Sequence, residues 1–128
     1  MNATFSLLGR IGLALIFIIS GWGKITGYAG AEQYMSAMGV SPALLPLVIL
    51  LEFGGGLAIA AGLFTRWIAI AFALFSVATA VVFHANFGDA MQAINFWKNI
   101  AIAGGFLSLA AQGAGAWSLD ALRGSRKA

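Results

Sequence analysis

Residues 42–64 read PALLPLVILLEFGGGLAIAAGLF, and this stretch decides the fold. The run is apolar except for one carboxylate, Glu52, near its middle. About 20 apolar residues in a helix span the hydrocarbon core of a bilayer, so the run predicts a transmembrane helix. A lone carboxylate at that depth costs about 2.5–3.5 kcal/mol on insertion scales. Glu52 therefore requires a partner within the protein.

The composition also indicates a membrane protein. Hydrophobic residues make up 61% of the 128-residue chain, charged residues make up 9%, and the mean hydropathy is +0.93. Soluble domains average about 25% charged residues, so we predict a single transmembrane domain over residues 1–128. The seven Lys and Arg are scattered, which argues against nucleic acid as a partner. With no cysteine and one histidine, neither thiol chemistry nor a metal site is predicted.

The apolar runs predict an all-α fold, a transmembrane four-helix bundle. Its helices are expected at about 5–23, 42–64, 67–87 and 94–112, followed by a cytoplasmic tail at 113–128. Between the first two helices, AEQYMSAM is typical of a short amphipathic segment at the membrane interface. We interpret Thr65-Arg66 as a tight turn.

Basic residues predict the orientation. With four spans, one side of the membrane holds both termini, the 65–66 turn and most of the basic residues: Arg10, Arg66, Arg123, Arg126 and Lys127. The other side holds Lys24 and Lys98. Cytoplasmic loops carry the excess of Lys and Arg, so we expect cytoplasmic N- and C-termini. The four tryptophans divide evenly between the two predicted interfaces, as aromatic belts do.

Helical spacing places the polar residues of each span on a face that also holds small residues. The predicted inward faces are Arg10, Ala14, Phe17, Gly21 and Lys24; Glu52, Gly55, Gly56 and Ile59; Ala73, Val77, Ala80 and His84; and Asn95, Lys98, Asn99, Ile102 and Gly105. Small residues let membrane helices approach closely, and polar side chains turn inward. We therefore expect one polar interior. The glycine run 54–56 lacks a phosphate-loop pattern and is interpreted as a packing surface.

The depth of each charge suggests partners for Glu52. At about 1.5 Å of rise per residue, both Arg10 and Lys98 lie within reach. We predict an Arg10–Glu52–Lys98 polar column, with His84 and Lys24 nearer the outer mouth. Which cation pairs with Glu52 stays open, as does whether the cluster is functional or only fixes helix register.

These residues supply the candidate site. A carboxylate, an imidazole and an ammonium group can hold or donate protons in a buried pocket. The catalytic candidates are therefore Glu52, His84 and Lys98. The substrate-binding candidates are Arg10, Lys24, Asn95, Asn99 and Trp97.

Several short motifs, taken in order, resemble the DoxX family over nearly the whole chain. They are Arg10 to Ser20-Gly21-x-x-Lys24, Glu52-x-x-Gly55-Gly56, Gly62-x-x-Thr65-Arg66, His84, Asn95-Phe-Trp-Lys98-Asn99, and Gly113-x-Gly115-x-x-Ser118-Leu-Asp120. The resemblance implies a small, multi-pass, four-helix protein of the bacterial inner membrane. Members of the wider family are associated with redox tasks, including a quinone-reducing thiosulfate oxidoreductase subunit and complexes that handle oxidative stress.

Two functions follow as expectations. The first is a quinone-linked redox subunit. Because the chain carries no evident redox group of its own, its electrons are expected from a redox partner subunit or from a bound cofactor. The alternative is a non-enzymatic membrane module that moves a small solute or a proton, or docks a partner. Membrane lipids are expected partners in both. Whether the chain is an enzyme and whether it forms a homo-oligomer stay open.

Overall fold

The computed structural model describes residues 2–127, with side chains described to residue 124. Residues 2–127 are helical or irregular and contain no strand. The six helices in this range are α1 (Asn2–Thr26), α2 (Tyr28–Ala37), α3 (Pro42–Ala61), α4 (Thr65–Phe83), α5 (Ala90–Gln112) and α6 (Leu119–Lys127).

Helices α1, α3 and α4 have the length and apolar composition needed to cross a membrane. They coincide with the predicted runs 5–23, 42–64 and 67–87, with ends shifted by a few residues. Helix α5 overlaps the run 94–112 but begins earlier, where the side chain of Asp89 accepts a hydrogen bond from the Met91 amide at 2.9 Å. That α5 also spans the membrane stays a prediction.

Helix α3 changes its winding along its length. It opens with a 3₁₀ turn at Pro42–Leu44, continues as α-helix over Leu45–Ile49, widens to π-helix over Leu50–Gly55 and returns to α-helix at Gly56–Ala61. A π turn holds one more residue than an α turn, and such segments are frequent at functional sites. Glu52 lies inside this segment.

Glycines bring α1 and α3 into close contact. A Cβ atom at Gly21 would lie 2.7 Å from the backbone nitrogen of Phe53, and one at Gly56 would lie 2.8 Å from Ile18 Cγ1. Both distances are too short for any side chain, so these positions set how closely the helices approach. The interpretation of the glycine run as a packing surface is confirmed at Gly56.

Three phenylalanines join the helices in a common core. The ring of Phe17 on α1 lies 4.4 Å from that of Phe72 on α4 and 5.7 Å from that of Phe106 on α5. Ile59 from α3 packs in the same buried cluster. Burial of aromatic rings is a large favourable term in packing. One core therefore receives side chains from α1, α3, α4 and α5.

The outer surface of the helices is apolar. Leu50, Leu74 and Trp67 are each largely exposed. Monomeric soluble proteins rarely present contiguous apolar surface of this kind, whereas a membrane protein presents it to lipid. The exterior therefore agrees with the membrane-spanning lengths of the helices.

The predicted tight turn at Thr65-Arg66 is wrong, because Thr65 already begins α4. The turn lies at residues 62–64, where Gly62 and Phe64 have φ values of +74° and +50°. This backbone conformation is unfavourable for Phe64, which has a side chain. The Asp120 carboxylate compensates, because it accepts hydrogen bonds of 2.8 Å from both the Phe64 and Thr65 amides.

The same contacts set the acidity of Asp120. Burial alone would raise the pKa of this carboxyl, but hydrogen bonds from Thr65 and Phe64 and the nearby charge of Arg123 lower it by more. The pKa of Asp120 therefore lies below its ordinary value. Sequence analysis interpreted residues 113–128 as a tail. In the structure, part of this segment forms α6, and its Asp120 holds the turn between α3 and α4 through the two hydrogen bonds.

Candidate functional site

A cavity of about 450 Å³ lies among the helices and is the best candidate for a binding site. Its volume falls within the range of about 300–1,000 Å³ typical of small-molecule sites. Most of its wall is apolar: Ile16, Phe17, Val48, Phe75, Phe83 and Ile102. Helix α2 contributes Tyr34 and Met35, and the Tyr34 ring stacks on Phe83 at 5.4 Å.

An ion pair forms one polar wall of the cavity. The Lys24 ammonium lies 2.9 Å from Glu52 Oε1, and Glu52 is only 4% exposed. Lys24 also donates a hydrogen bond of 2.7 Å to Ser20 Oγ, and that hydroxyl lies 3.3 Å from each Glu52 oxygen. Because Ser20 and Lys24 are four residues apart on α1, they share a face toward Glu52. The buried carboxylate is thus paired by α1.

The predicted Arg10–Glu52–Lys98 column is wrong. The buried Arg10 guanidinium lies at the opposite end of α1 and donates to the carbonyls of Ala60 at 3.2 Å, Trp117 at 2.9 Å and Ala114. The ends of helices leave carbonyl groups without helical partners, and a guanidinium has five donors to offer them. Arg10 therefore fastens the end of α3 to the segment after α5.

Three candidates on α5 lie outside the cavity. Lys98 and Trp97 are exposed, and Asn95 does not line the cavity wall. The buried face of α5 runs through Ala103 and Phe106, whereas each step along a helix turns the side chain by about 100°. Lys98 therefore points away from Asn99, which does line the cavity.

A second polar wall comes from α4 and α5. His84 Nδ1 lies 2.8 Å from Gln92 Oε1, and Asn99 Nδ2 donates to Thr79 Oγ1 at 3.0 Å. His84, Thr79 and Asn99 all line the cavity. Sequence analysis missed Thr79 and Gln92, which supply the oxygen atoms that orient the other two side chains.

Ser76 is the most informative residue that sequence analysis missed. It is 1% exposed, it lines the cavity, and its hydroxyl has no hydrogen-bond partner among the side chains described through residue 124. A buried hydroxyl without a partner costs about 1–3 kcal/mol. The signal was present, since Ser76 follows Ala73 by three residues and precedes Ala80 by four. Sequence analysis assigned this face to Val77, which is exposed.

Several of the predicted and newly found polar groups therefore meet at one cavity: Ser20, Lys24, Glu52, Ser76, Thr79, His84 and Asn99. They come from α1, α3, α4 and α5, and His84 is the residue that follows the last residue of α4. Over the described residues, no group of three or more His, Asp or Glu side chains is placed to hold a metal ion. The cavity thus combines a largely apolar wall with side chains that can donate and accept hydrogen bonds.

Apolar helices of membrane-spanning length around a buried ion pair and a partly polar cavity define a small helical membrane protein. The DoxX family model matches residues 5–85. The chain belongs to the DoxX family, and the resemblance drawn from the sequence motifs is confirmed.

Two relatives from Escherichia coli (strain K12) agree with this assignment. Inner membrane protein YqjF is 56% identical over 116 residues, which cover 91% of this chain and 89% of YqjF. Inner membrane protein YphA is 43% identical over 121 residues, which cover 89% of this chain and 86% of YphA. No solved structure matches the chain. The predicted location in the inner membrane is confirmed.

Proposed function

We propose that the chain is a four-span bundle that binds a quinone in its cavity on behalf of a redox partner subunit. The observation that carries the proposal is a largely apolar cavity with hydrogen-bonding groups on two walls, one of them the unsatisfied Ser76 hydroxyl. Cavities of this kind bind small organic molecules by apolar contact and orient them through a few polar groups.

The residues present fit a quinone head group. Its two carbonyl oxygens accept hydrogen bonds, and Lys24, Ser76 and Asn99 are among the donors on the walls. A bound quinone would supply two-electron chemistry coupled to proton uptake. Glu52 would accept a proton and pass it on close to the site; it contacts Lys24 directly at 2.9 Å, and the Lys24 side chain is 29% exposed.

Electrons would reach this site from outside the chain. The sequence has no cysteine and no evident cofactor-binding motif, so a partner subunit is the expected donor. In this proposal the chain supplies the binding site, the hydrogen bonds and the proton path, and the partner supplies the redox group.

The fourth span is part of the proposal. Helix α5 extends over 23 residues, packs along α4 and contributes Ala103 and Phe106 to the core. At about 1.5 Å per residue, its length suffices to cross a bilayer. An even number of spans places both termini on one side, and Arg10, Arg66 and Arg123 gather at the end of the bundle near residues 62–66, which supports cytoplasmic termini.

Quinone binding is tested by titrating ubiquinone and menaquinone analogues into the purified protein while following tryptophan fluorescence. A net hydrogen bond is worth about 0.5–1.5 kcal/mol, so Ser76→Ala should weaken binding by about 2- to 12-fold. Lys24→Met should weaken it at least as much, because it also disturbs Glu52. Lys98→Ala is the matched control, since this exposed lysine lies outside the cavity and should bind as the unaltered protein does.

Two results would refute the quinone proposal. One is the lack of saturable binding by any analogue to folded protein. The other is equal affinity in Ser76→Ala, Lys24→Met and Lys98→Ala, which would place any binding elsewhere on the apolar surface.

The alternative function is movement of a proton or small solute, and the Lys24–Glu52 pair on the cavity wall is the observation that favours it. Proteoliposomes distinguish the two functions. Flux that Glu52→Gln abolishes, without quinone binding, would support transport. A stable co-purifying subunit with neither flux nor quinone binding would support a docking role.

Orientation is tested by cysteine labelling, for which a chain without cysteine is well suited. Gly124→Cys should react with a membrane-impermeant maleimide only after spheroplasts are permeabilised. Asn86→Cys, between α4 and α5, should react in intact spheroplasts. The reverse pattern would place the termini outside, and labelling of both positions from one side would contradict the fourth span.

A further inference from the structure

A second cavity, of about 540 Å³, opens at the opposite end of the bundle from the Lys24–Glu52 pair. It lies between the start of α4 and the C-terminal segment, and we call it the arginine groove. Its wall includes Phe64, Arg66, Trp67, Gly113, Asp120 and Arg123. None of them lines the first cavity, so the groove is a separate feature of the protein.

Two guanidinium groups in the groove have N–H donors that remain available to a ligand. Arg66 is exposed and has no hydrogen bond or ion pair with any side chain described up to residue 124. Arg123 packs over the Phe64 ring at 4.4 Å and approaches Asp120 only to 4.0 Å. The paired guanidinium and carboxylate are both partly exposed, so this contact is weak.

Asp120 does not neutralise the groove. Both of its oxygens accept hydrogen bonds of 2.8 Å from the backbone amides of Phe64 and Thr65. It therefore caps the start of α4. Among the side chains described through residue 124, it is the one acidic group on the groove wall, against two arginines. The groove keeps a net positive charge and an excess of forked donors suited to a phosphate group.

A glycine lies beside Arg66 on the wall of the groove. Gly113 has a φ of +82°, and a Cβ atom there would stand 3.6–3.7 Å from Nε and the adjacent terminal nitrogen of the Arg66 guanidinium. These distances are ordinary van der Waals contacts, so the chain at residue 113 lies directly beside the guanidinium. The backbone conformation itself favours glycine.

The surroundings indicate where the phosphate comes from. Trp67, the next residue after Arg66, is 76% exposed, and exposed tryptophans of membrane proteins settle at the level of the lipid head groups. The neighbouring surface of α4 is apolar at Ile70 and Leu74, as acyl chains require. We propose that the arginine groove binds the phosphate of an anionic phospholipid, with its acyl chains against α4.

Native mass spectrometry of the detergent-solubilised full chain tests the proposal, with phosphatidylglycerol and phosphatidylcholine as probes. Phosphatidylglycerol should bind in preference. Arg66→Gln should weaken its binding about tenfold, because charge-assisted hydrogen bonds to phosphate are lost. Arg66 has no described partner, so this variant should fold normally. Lys98→Gln removes the same charge at the other end of the bundle and should not change the affinity.

Each other outcome overturns the proposal. Equal loss of phosphatidylglycerol in Arg66→Gln and Lys98→Gln would show only general attraction to positive charge. Equal binding of the two lipids would show that the groove does not distinguish an anionic head group from a zwitterionic one. Displacement of phosphatidylglycerol by millimolar inorganic phosphate would assign the groove to free phosphate rather than to lipid.

Discussion

Replacing Lys24 with Met would leave the Glu52 carboxylate buried without its ionic partner. Removing one member of a buried pair costs about 3–5 kcal/mol in other proteins. The Lys24 side chain is 29% exposed and the Ser20 hydroxyl stays near the carboxylate, so we expect the lower end of this range. The free energy of unfolding should fall by about 3 kcal/mol, a factor of roughly 150 in the unfolding equilibrium.

A second substitution should rescue the first. Glu52→Gln removes the buried charge and keeps an oxygen facing Ser20, so Lys24→Met with Glu52→Gln should lie within about 1 kcal/mol of the unaltered protein. The two substitutions should therefore show a coupling free energy of at least about 2 kcal/mol in a double-mutant cycle.

Unfolding in mixed micelles with increasing dodecyl sulfate, followed by tryptophan fluorescence, measures these changes. Lys98→Met is the matched control, because it removes an exposed lysine with no ion pair among the described side chains. If Lys24→Met destabilised the protein no more than Lys98→Met, or if the double variant were no more stable than Lys24→Met, the assignment of Lys24 as the partner of Glu52 would be refuted.

Three further predictions concern the helix contacts and the C-terminal segment. The pKa of Asp120 is lowered below 3.8. Its contribution to stability should therefore be complete above that pH and lost as pH falls through the lowered pKa. Asp120→Asn should abolish this pH dependence in acid titrations of thermal stability. Gly21→Ala should lower the free energy of unfolding by about 1–3 kcal/mol, since its Cβ would collide with Phe53. Gly104→Ala, which has open space around it, should leave that free energy unchanged in the same micelle assay. Arg10→Met should release the C-terminal segment, so that limited proteolysis cuts after residue 112 faster than in the unaltered protein.

Helical periodicity accounts for what the sequence predicted well. The buried residues of α1 are Arg10, Ala14, Phe17 and Gly21, which are four of the five residues on the predicted face. The inward direction of Glu52 also followed, because a carboxylate facing lipid is strongly unfavourable. Both inferences depend only on the periodicity of a single helix and on the cost of placing a charge in lipid.

The partners of the charged residues depend on contacts between distant segments, and periodicity does not contain that information. Arg10 and Lys24 share one face of α1, so either was a reasonable partner for Glu52 until the fold placed Arg10 among carbonyl groups of the C-terminal segment. The cap that Asp120 provides for α4 crosses more than 50 residues. The π segment around Glu52 likewise was not predicted, because glycines are also frequent in regular α-helices that span membranes.

The contacts of Arg10 have a consequence for biosynthesis. Its acceptors Ala114 and Trp117 lie 104 and 107 residues later in the chain. At roughly 5–20 residues per second, a ribosome needs about 5–20 s to make them after Arg10 has emerged. A cation inside lipid is costly for all of that time, so the first helix must keep Arg10 near water or head groups until translation is nearly finished. A nascent chain that stops short of residue 114 would lack two of the three carbonyl groups that accept hydrogen bonds from Arg10 in the folded protein.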